Sequence, residues 1–304
     1  MSKQNNLILK ATSYLSSFAL AISIALLIWI IIGHFYRPSF EDQFATFHDG
    51  VNLFQVPEGY PETRDENLDQ FDRDLYENVR SVSDAIKHIK SEYNISNDEE
   101  ALHAVFDFTS KRFIHRMYPI HSLKTNPFYV LLEMYDPLNS FNEMSTANEL
   151  LRHSAVGGCG DTTVTSIEIF RALGYEAQYV SLDGHHVGEF IAGGKKWLVD
   201  ADMEVIAPYS IKHIKENLEL VHQIYSKYPL ARQNTMKRIF SKKILNENGF
   251  TGAPRYGDYM WNLHKLIEKA KWIIPLSGIL ISLLMILFLR KFDNSKTFET
   301  TLDN

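Results

Sequence analysis

The 304-residue chain has a single cysteine, Cys159. That excludes an intrachain disulfide framework and any zinc site built from several thiolates. Positive charge is not in excess either: 31 Lys and Arg stand against 37 Asp and Glu, a formal net charge of −6. A nucleic-acid binder needs a basic face, so no nucleic-acid partner is expected. No HExxH or CxxC spacing occurs among the 12 histidines, so no metal ligand set is expected. His115, His121 and His153 read as ordinary surface or core residues. A Gly-x-Ser-x-Gly elbow is also missing, which argues against serine-based hydrolysis. Nothing in the sequence calls for a cofactor.

Charge is absent from two long stretches. From Ala11 to Tyr36 there is no ionised side chain, and Tyr14 to Tyr36 can cross a bilayer as one helix. The apolar run is too long for the core of a secretory signal, and bulky residues (His34 to Phe40) follow it instead of a small-residue cleavage site. The second stretch, Trp272 to Leu289, is bracketed by Lys269 and Lys271 on one side and Arg290 and Lys291 on the other. The expected organisation is a cytoplasmic N-terminus (1–13), a first membrane helix (14–36), a linker (37–66), a globular domain (67–208), a helical extension (209–271), a second membrane helix (272–289) and a cytoplasmic tail (290–304). Lys3 and Lys10 before the first span, with Arg290 and Lys291 after the second, place both termini in the cytoplasm by the positive-inside rule. The soluble part is then periplasmic or extracytoplasmic, although Lys265, Lys269 and Lys271 oppose that orientation. The two ends hold five of the basic and three of the acidic residues, so 37–271 keep 26 basic against 34 acidic, net −8.

Within the soluble part, apolar residues at spacings of three and four predict a helix over 67–93. Asn97 followed by Asp-Glu-Glu reads as the capped start of the next helix. A short strand is expected near 51–56, irregular chain over 117–144, and a short helix over 148–153. The aromatics between Met117 and Tyr135 could line an acceptor groove, but packing is the favoured reading. Cys159 to Leu173 reads as a helix closed by Gly174. Three strands follow, 175–182, 185–192 and 195–199, joined by Asp183-Gly184 and Gly193-Gly194 turns, as in an antiparallel meander. Helices are expected over 210–228 and 233–245, the first as a core or partner helix, then a loop over 249–259 and a last helix from about 258 running into the second span.

The chemistry-bearing pattern centres on the lone thiol. Cys159 follows Gly157-Gly158 and opens a helix, where free N–H groups and the helix dipole favour a thiolate. Asp161 and Thr162 suit the first turn as caps. A nucleophilic thiol needs an imidazole base and a carboxylate to orient it. His185, just after a turn, and Asp200, on the next strand, could lie side by side. His186 points to the opposite face and is the alternative to His185.

The stretch from Gly157 to Met203 resembles the transglutaminase-like cysteine superfamily, which includes transglutaminases, bacterial transglutaminase-like peptidases and peptide:N-glycanases. Gly-Gly-Cys with Asp161 soon after, the helix end Arg171-Ala-Leu-Gly174, Tyr179-Val180, His185 four before Glu189, and Trp197 ahead of Asp200 carry the likeness. The helix beginning near Asn97 is similar to the one that precedes this core. The resemblance implies an α+β fold with a papain-like, transglutaminase-like core, in which the nucleophile helix packs on an antiparallel sheet, here flanked by two transmembrane helices. It implies a Cys159–His185–Asp200 triad acting on amide bonds by acyl transfer, as a peptidase or amidase or as an amine cross-linking enzyme, with a protein or peptide substrate. Val187 stands where the family has an aromatic residue. Asp200 lies three rather than four after Trp197 and lacks a following Pro, which keeps Asp202 as an alternate carboxylate. No Trp occurs between Trp29 and Trp197, so the backbone N–H of Cys159 is the one nameable oxyanion donor. The competing expectation is a non-catalytic binding or scaffold module of the same fold in an envelope assembly.

Overall fold

In a computed structural model the described residues are 3–39, 43, 69–115, 122–135, 144–242, 244 and 258–302. The strand expected near 51–56 and His121 lie outside them, as does the loop expected over 249–259 except for its last two residues, which begin the final helix.

The two uncharged stretches form long helices. α1 spans Lys3–Phe35, and α11, the last helix, spans Asp258–Leu302 with Pro275 inside it. Each holds a segment long and apolar enough to cross a membrane, Leu9–Phe35 and Asn262–Lys291, and only 11% of each is buried. A core helix of a globular protein would hide such a surface. The two helices pack against each other. A Cβ at Gly278 would meet the Ser23 hydroxyl, which would have to move, and the His34 and Trp272 rings meet edge to face at 5.4 Å.

Between them the chain folds as α+β. The single helix expected over 67–93 is two, α2 (Arg73–Asn78) and α3 (Val82–Glu92). Asp72 and Ser81 each cap a new helix start with their side chains, and caps at both positions outweigh a continuous apolar period. Asn97 caps α4 (Asp98–Arg112). The two-residue strand β1 (Ile114–His115) pairs in parallel with β2 (Val156–Gly157). The region expected to be irregular contains α5 (Pro127–Tyr135). α6 (Ala147–His153) begins with a reciprocal Thr146–Glu149 capping box.

α7 (Cys159–Ala172) leads into a four-stranded antiparallel meander. Its strands are β3 (Glu176–Leu182), β4 (His185–Ala192), β5 (Lys195–Asp200) and β6 (Val205–Ala207), in that spatial order. β6 was not expected; it is three residues long and follows a turn with no Gly. Gly193 and Gly194, both at positive φ, make the tight β4–β5 turn.

Alternation along the strands gives the sheet two apolar faces, and helices cover both. On one face Ala177, Tyr179, Phe190, Ala192 and Val199 join a core with α3, α4 and α7. The other face carries Val180, Leu182, Val187, Leu198, Val205 and Ala207. The residues expected as a helical extension supply its cover: α8 (Ile211–Glu216), α9 (Leu220–Ile224) and α10 (Leu230–Ser241). The helix expected over 210–228 is thus broken near Asn217, and the one expected over 233–245 ends earlier. Glu189 explains how this second layer attaches. Its buried carboxylate accepts from Gln178 Nε2 and Lys196 Nζ on the flanking strands and from the Ile211 amide at the start of α8.

Candidate active site

The site lies where β4 begins and β5 ends. The register Gly188↔Val199, carried one step further, sets Asp200 opposite Val187 and diagonal to His185. Residues 185, 187 and 200 therefore share the face that looks towards α8–α10. His185 Nε2 and Asp200 Oδ2 are 2.8 Å apart, with His185 6% exposed and Asp200 fully buried.

Two further donors hold the carboxylate. The Tyr225 hydroxyl donates to Asp200 Oδ2 at 2.8 Å, and the Met203 amide donates to Oδ1 at 3.1 Å. Tyr225 ends α9 and comes from the layer opposite α7. Sequence reasoning placed its helix in the core and missed this role, because Tyr225 falls on the apolar period after Val221. Burial first, and then the Asp200 charge, raise the Tyr225 phenol well above its ordinary value, so it stays protonated and can donate to the carboxylate.

Cys159 approaches from the other layer. It is the first residue of α7 and is half-buried. The helix start is tied off locally. The Gly158 amide donates to Asp161 Oδ2 at 2.9 Å, and the amides of Asp161 and Thr162 turn back to the Gly158 carbonyl. These contacts do not use the Cys159 amide. The Thr163 hydroxyl donates to the His186 carbonyl at 3.2 Å and fastens α7 to β4.

The electrostatics tie the three groups together. Burial, the largest single influence on His185, pulls its imidazole towards the neutral form. The Asp200 charge opposes it, followed by the charge of Cys159 and by hydrogen bonds to both residues. Together these hold His185 well above the usual histidine value of 6.5. For Asp200, burial pushes the carboxyl up, but His185, then Tyr225 and the Met203 amide, outweigh it and leave the group below its ordinary 3.8. Both partners point to an imidazolium–carboxylate pair. With Nε2 engaged by Asp200, Nδ1 is the ring atom available to the sulfur.

The alternates take other places. His186 projects to the α7 face, its ring 5.2 Å from that of Tyr179. Asp202 is 9% exposed and has an oxygen in a group with His185 and Asp200 whose ligand atoms lie within 4.8 Å of one another. Such a group could hold a cation; Asp200 Oδ2 already accepts two protein hydrogen bonds and Oδ1 accepts one. Trp197 is structural: its indole donates to the Ala192 carbonyl at 3.0 Å and its ring meets His103. Arg171 likewise holds the start of β3 through the Ala177 carbonyl. His115 belongs to the β1–β2 pair, and His153 bonds the Tyr36 carbonyl.

Chemically, the cluster is an imidazole whose Nε2 is fixed by a buried carboxylate with two further donors, and whose electrostatics include the Cys159 thiol. No family model, curated protein or solved structure matches the chain.

Proposed function

We propose that this chain is a membrane-anchored cysteine enzyme with a papain-like, transglutaminase-like core that transfers acyl groups from amide substrates. The observation that carries the reading is the buried His185–Asp200 pair at 2.8 Å, with Cys159 acting on the same imidazole from the start of α7. Cys159 attacks the amide carbonyl as thiolate, forming a carbon–sulfur bond and an oxyanion. The Cys159 amide, at a helix start and outside the local cap, is the donor placed to meet that oxyanion. Collapse breaks the carbon–nitrogen bond, and His185 gives its proton to the departing amine. A thioester remains. Water or a second amine then attacks it, His185 takes the proton, and the acid or the new amide leaves as the thiolate reforms. Asp200 keeps the ring orientation and stabilises the imidazolium, and Tyr225 and the Met203 amide keep Asp200 in place.

The test uses the full chain in lipid. Iodoacetamide labelling of Cys159 near neutral pH slows at least about tenfold in His185→Ala and is unchanged in His186→Ala, as expected for a thiol activated by one imidazole. Incorporation of a fluorescent primary amine into a glutamine-rich protein, or hydrolysis of a peptide library, disappears in Cys159→Ala. Equal labelling rates in the His185 and His186 variants, together with any measured turnover surviving in Cys159→Ala, would overturn the proposal.

A further inference from the structure

α5 is an apolar helix with an apolar outer face. Leu131, Met134 and Tyr135, spaced to share one side, are 57%, 76% and 89% exposed, and Leu123 just ahead of the helix is 50% exposed. A soluble domain gains nothing by presenting such a stripe to water. The opposite side of the same segment is bound to the two long helices. The Tyr129 hydroxyl donates to the His264 carbonyl at 3.0 Å and its ring stacks on His264 at 4.7 Å. Asn126 Nδ2 donates to Glu268 Oε1 at 2.7 Å. The Trp29 indole donates to the Leu123 carbonyl at 3.0 Å. The Lys124 and Thr125 carbonyls crowd Gly33 so closely that a Cβ there would lie 2.7 and 2.9 Å from them.

These contacts fix the height of the segment. Trp29 lies six residues before the end of α1, about 9 Å along the helix axis at 1.5 Å per residue. Leu123 is therefore level with the apolar end of the first span, while Asn126 and Tyr129, held by Glu268 and His264, lie about 6 and 12 Å outward of Trp272 along α11, so the segment climbs from the acyl edge through the headgroup layer. Trp272 meets His34 edge to face and Tyr36 follows α1 directly, an aromatic level typical of a bilayer boundary, with Trp29 about 10 Å deeper along α1. Exposed Lys124, Lys265 and Lys269 supply cations suited to phosphate headgroups.

We infer that α5 is a third membrane contact: it lies in the headgroup–acyl boundary of the bilayer crossed by α1 and α11, with Leu123, Leu131, Met134 and Tyr135 in lipid. The occupant of this apolar face is lipid because the face continues the lipid-facing surface of the spans through direct contact with them. The inference rests on the membrane-anchored reading and is independent of the acyl chemistry.

The experiment takes the full chain in a Cys159→Ser background, reconstituted in phosphatidylcholine–phosphatidylglycerol vesicles. Spin labels are placed at Leu131→Cys and Met134→Cys, with Ile22→Cys as the mid-span reference and Lys195→Cys as the aqueous one. The oxygen-to-nickel-chelate accessibility ratio at 131 and 134 is expected to lie several-fold above that at 195 and below that at 22. Ratios equal to that at 195, or labels shielded from both colliders by protein, overturn the placement of α5 while a lipid-like Ile22 label leaves the spans standing. An aqueous Ile22 label would overturn the spans and α5 together.

Discussion

Replacing Asp200 with Asn removes a charge while keeping the shape and the acceptor oxygen. The consequence is read at His185. Their polar atoms are 2.8 Å apart, which puts the charge centres at about 4 Å. With an effective dielectric of about 20 the attraction is about 4 kcal/mol. In the wild type this attraction beats the burial that favours a neutral ring, so His185 stays protonated well above 6.5. In Asp200→Asn the largest influence opposing burial is gone and only that of Cys159 remains, so the titration of the ring is expected to move down. Histidine labelled with carbon-13 at Cε1 reports this by NMR across pH 5 to 9, with His185→Gln identifying the resonance among the 12 histidines. Midpoints within about half a unit of each other in wild type and Asp200→Asn would refute the idea that the carboxylate charge sets the state of His185.

Stability should carry the same signature. The folded value of His185 lies above its unfolded 6.5, so its contribution is full below 6.5 and is lost as pH rises through the folded value. That of Asp200 lies below 3.8, so its contribution is present above 3.8 and is lost as pH falls through the folded value. The urea midpoint should therefore fall on the alkaline side of 6.5 in wild type and flatten there in His185→Gln; an unchanged alkaline slope in the variant argues against the pair. Tyr225→Phe removes a donor from a buried carboxylate and should cost about 2 kcal/mol in a urea titration, and a loss under about 0.5 would show that the bond contributes little. Gly188→Ala places a Cβ on the Phe190 ring within the same strand and should destabilise by about 1–3 kcal/mol, measured the same way; a neutral result would mean the ring can move aside.

The sequence made the helix opened by Cys159 and the meander legible because their signals are local. A glycine pair before Cys159, a Gly closing its helix, and two turns with glycine at positive φ mark elements whose ends do not depend on distant chain. His185 and Asp200 could be paired on paper because a two-residue turn fixes the register between β4 and β5. Tyr225 could not be found that way. It reaches Asp200 across the full depth of a second core, and its only trace is an apolar period that every core helix shares. The helix breaks at Val79–Ser81 and near Asn217 were hidden for a related reason: the apolar rhythm runs through them, and while the side chain of Ser81 caps the new start of α3, α9 begins after Glu219 with no side-chain cap to mark it. α5 was obscured by Pro127 and by a composition that suits a lipid boundary better than a globular core.

The antiparallel contact between α1 and α11 has a thermodynamic meaning for a chain with one cysteine. The two helices enclose about 220 residues between Phe35 and Asp258. While they stay paired in a bilayer, the unfolded domain is a closed loop rather than a free coil. Treated as a cross-link, closing a loop of that length lowers the entropy of the unfolded chain by about 5 kcal/mol at 25 °C, the scale of a long-range disulfide. The membrane hairpin can thus act as a staple that needs no oxidant and survives a reducing compartment. Cutting the chain from either helix should then weaken the domain by more than the loss of that helix's own contacts with Leu123, Asn126 and Tyr129.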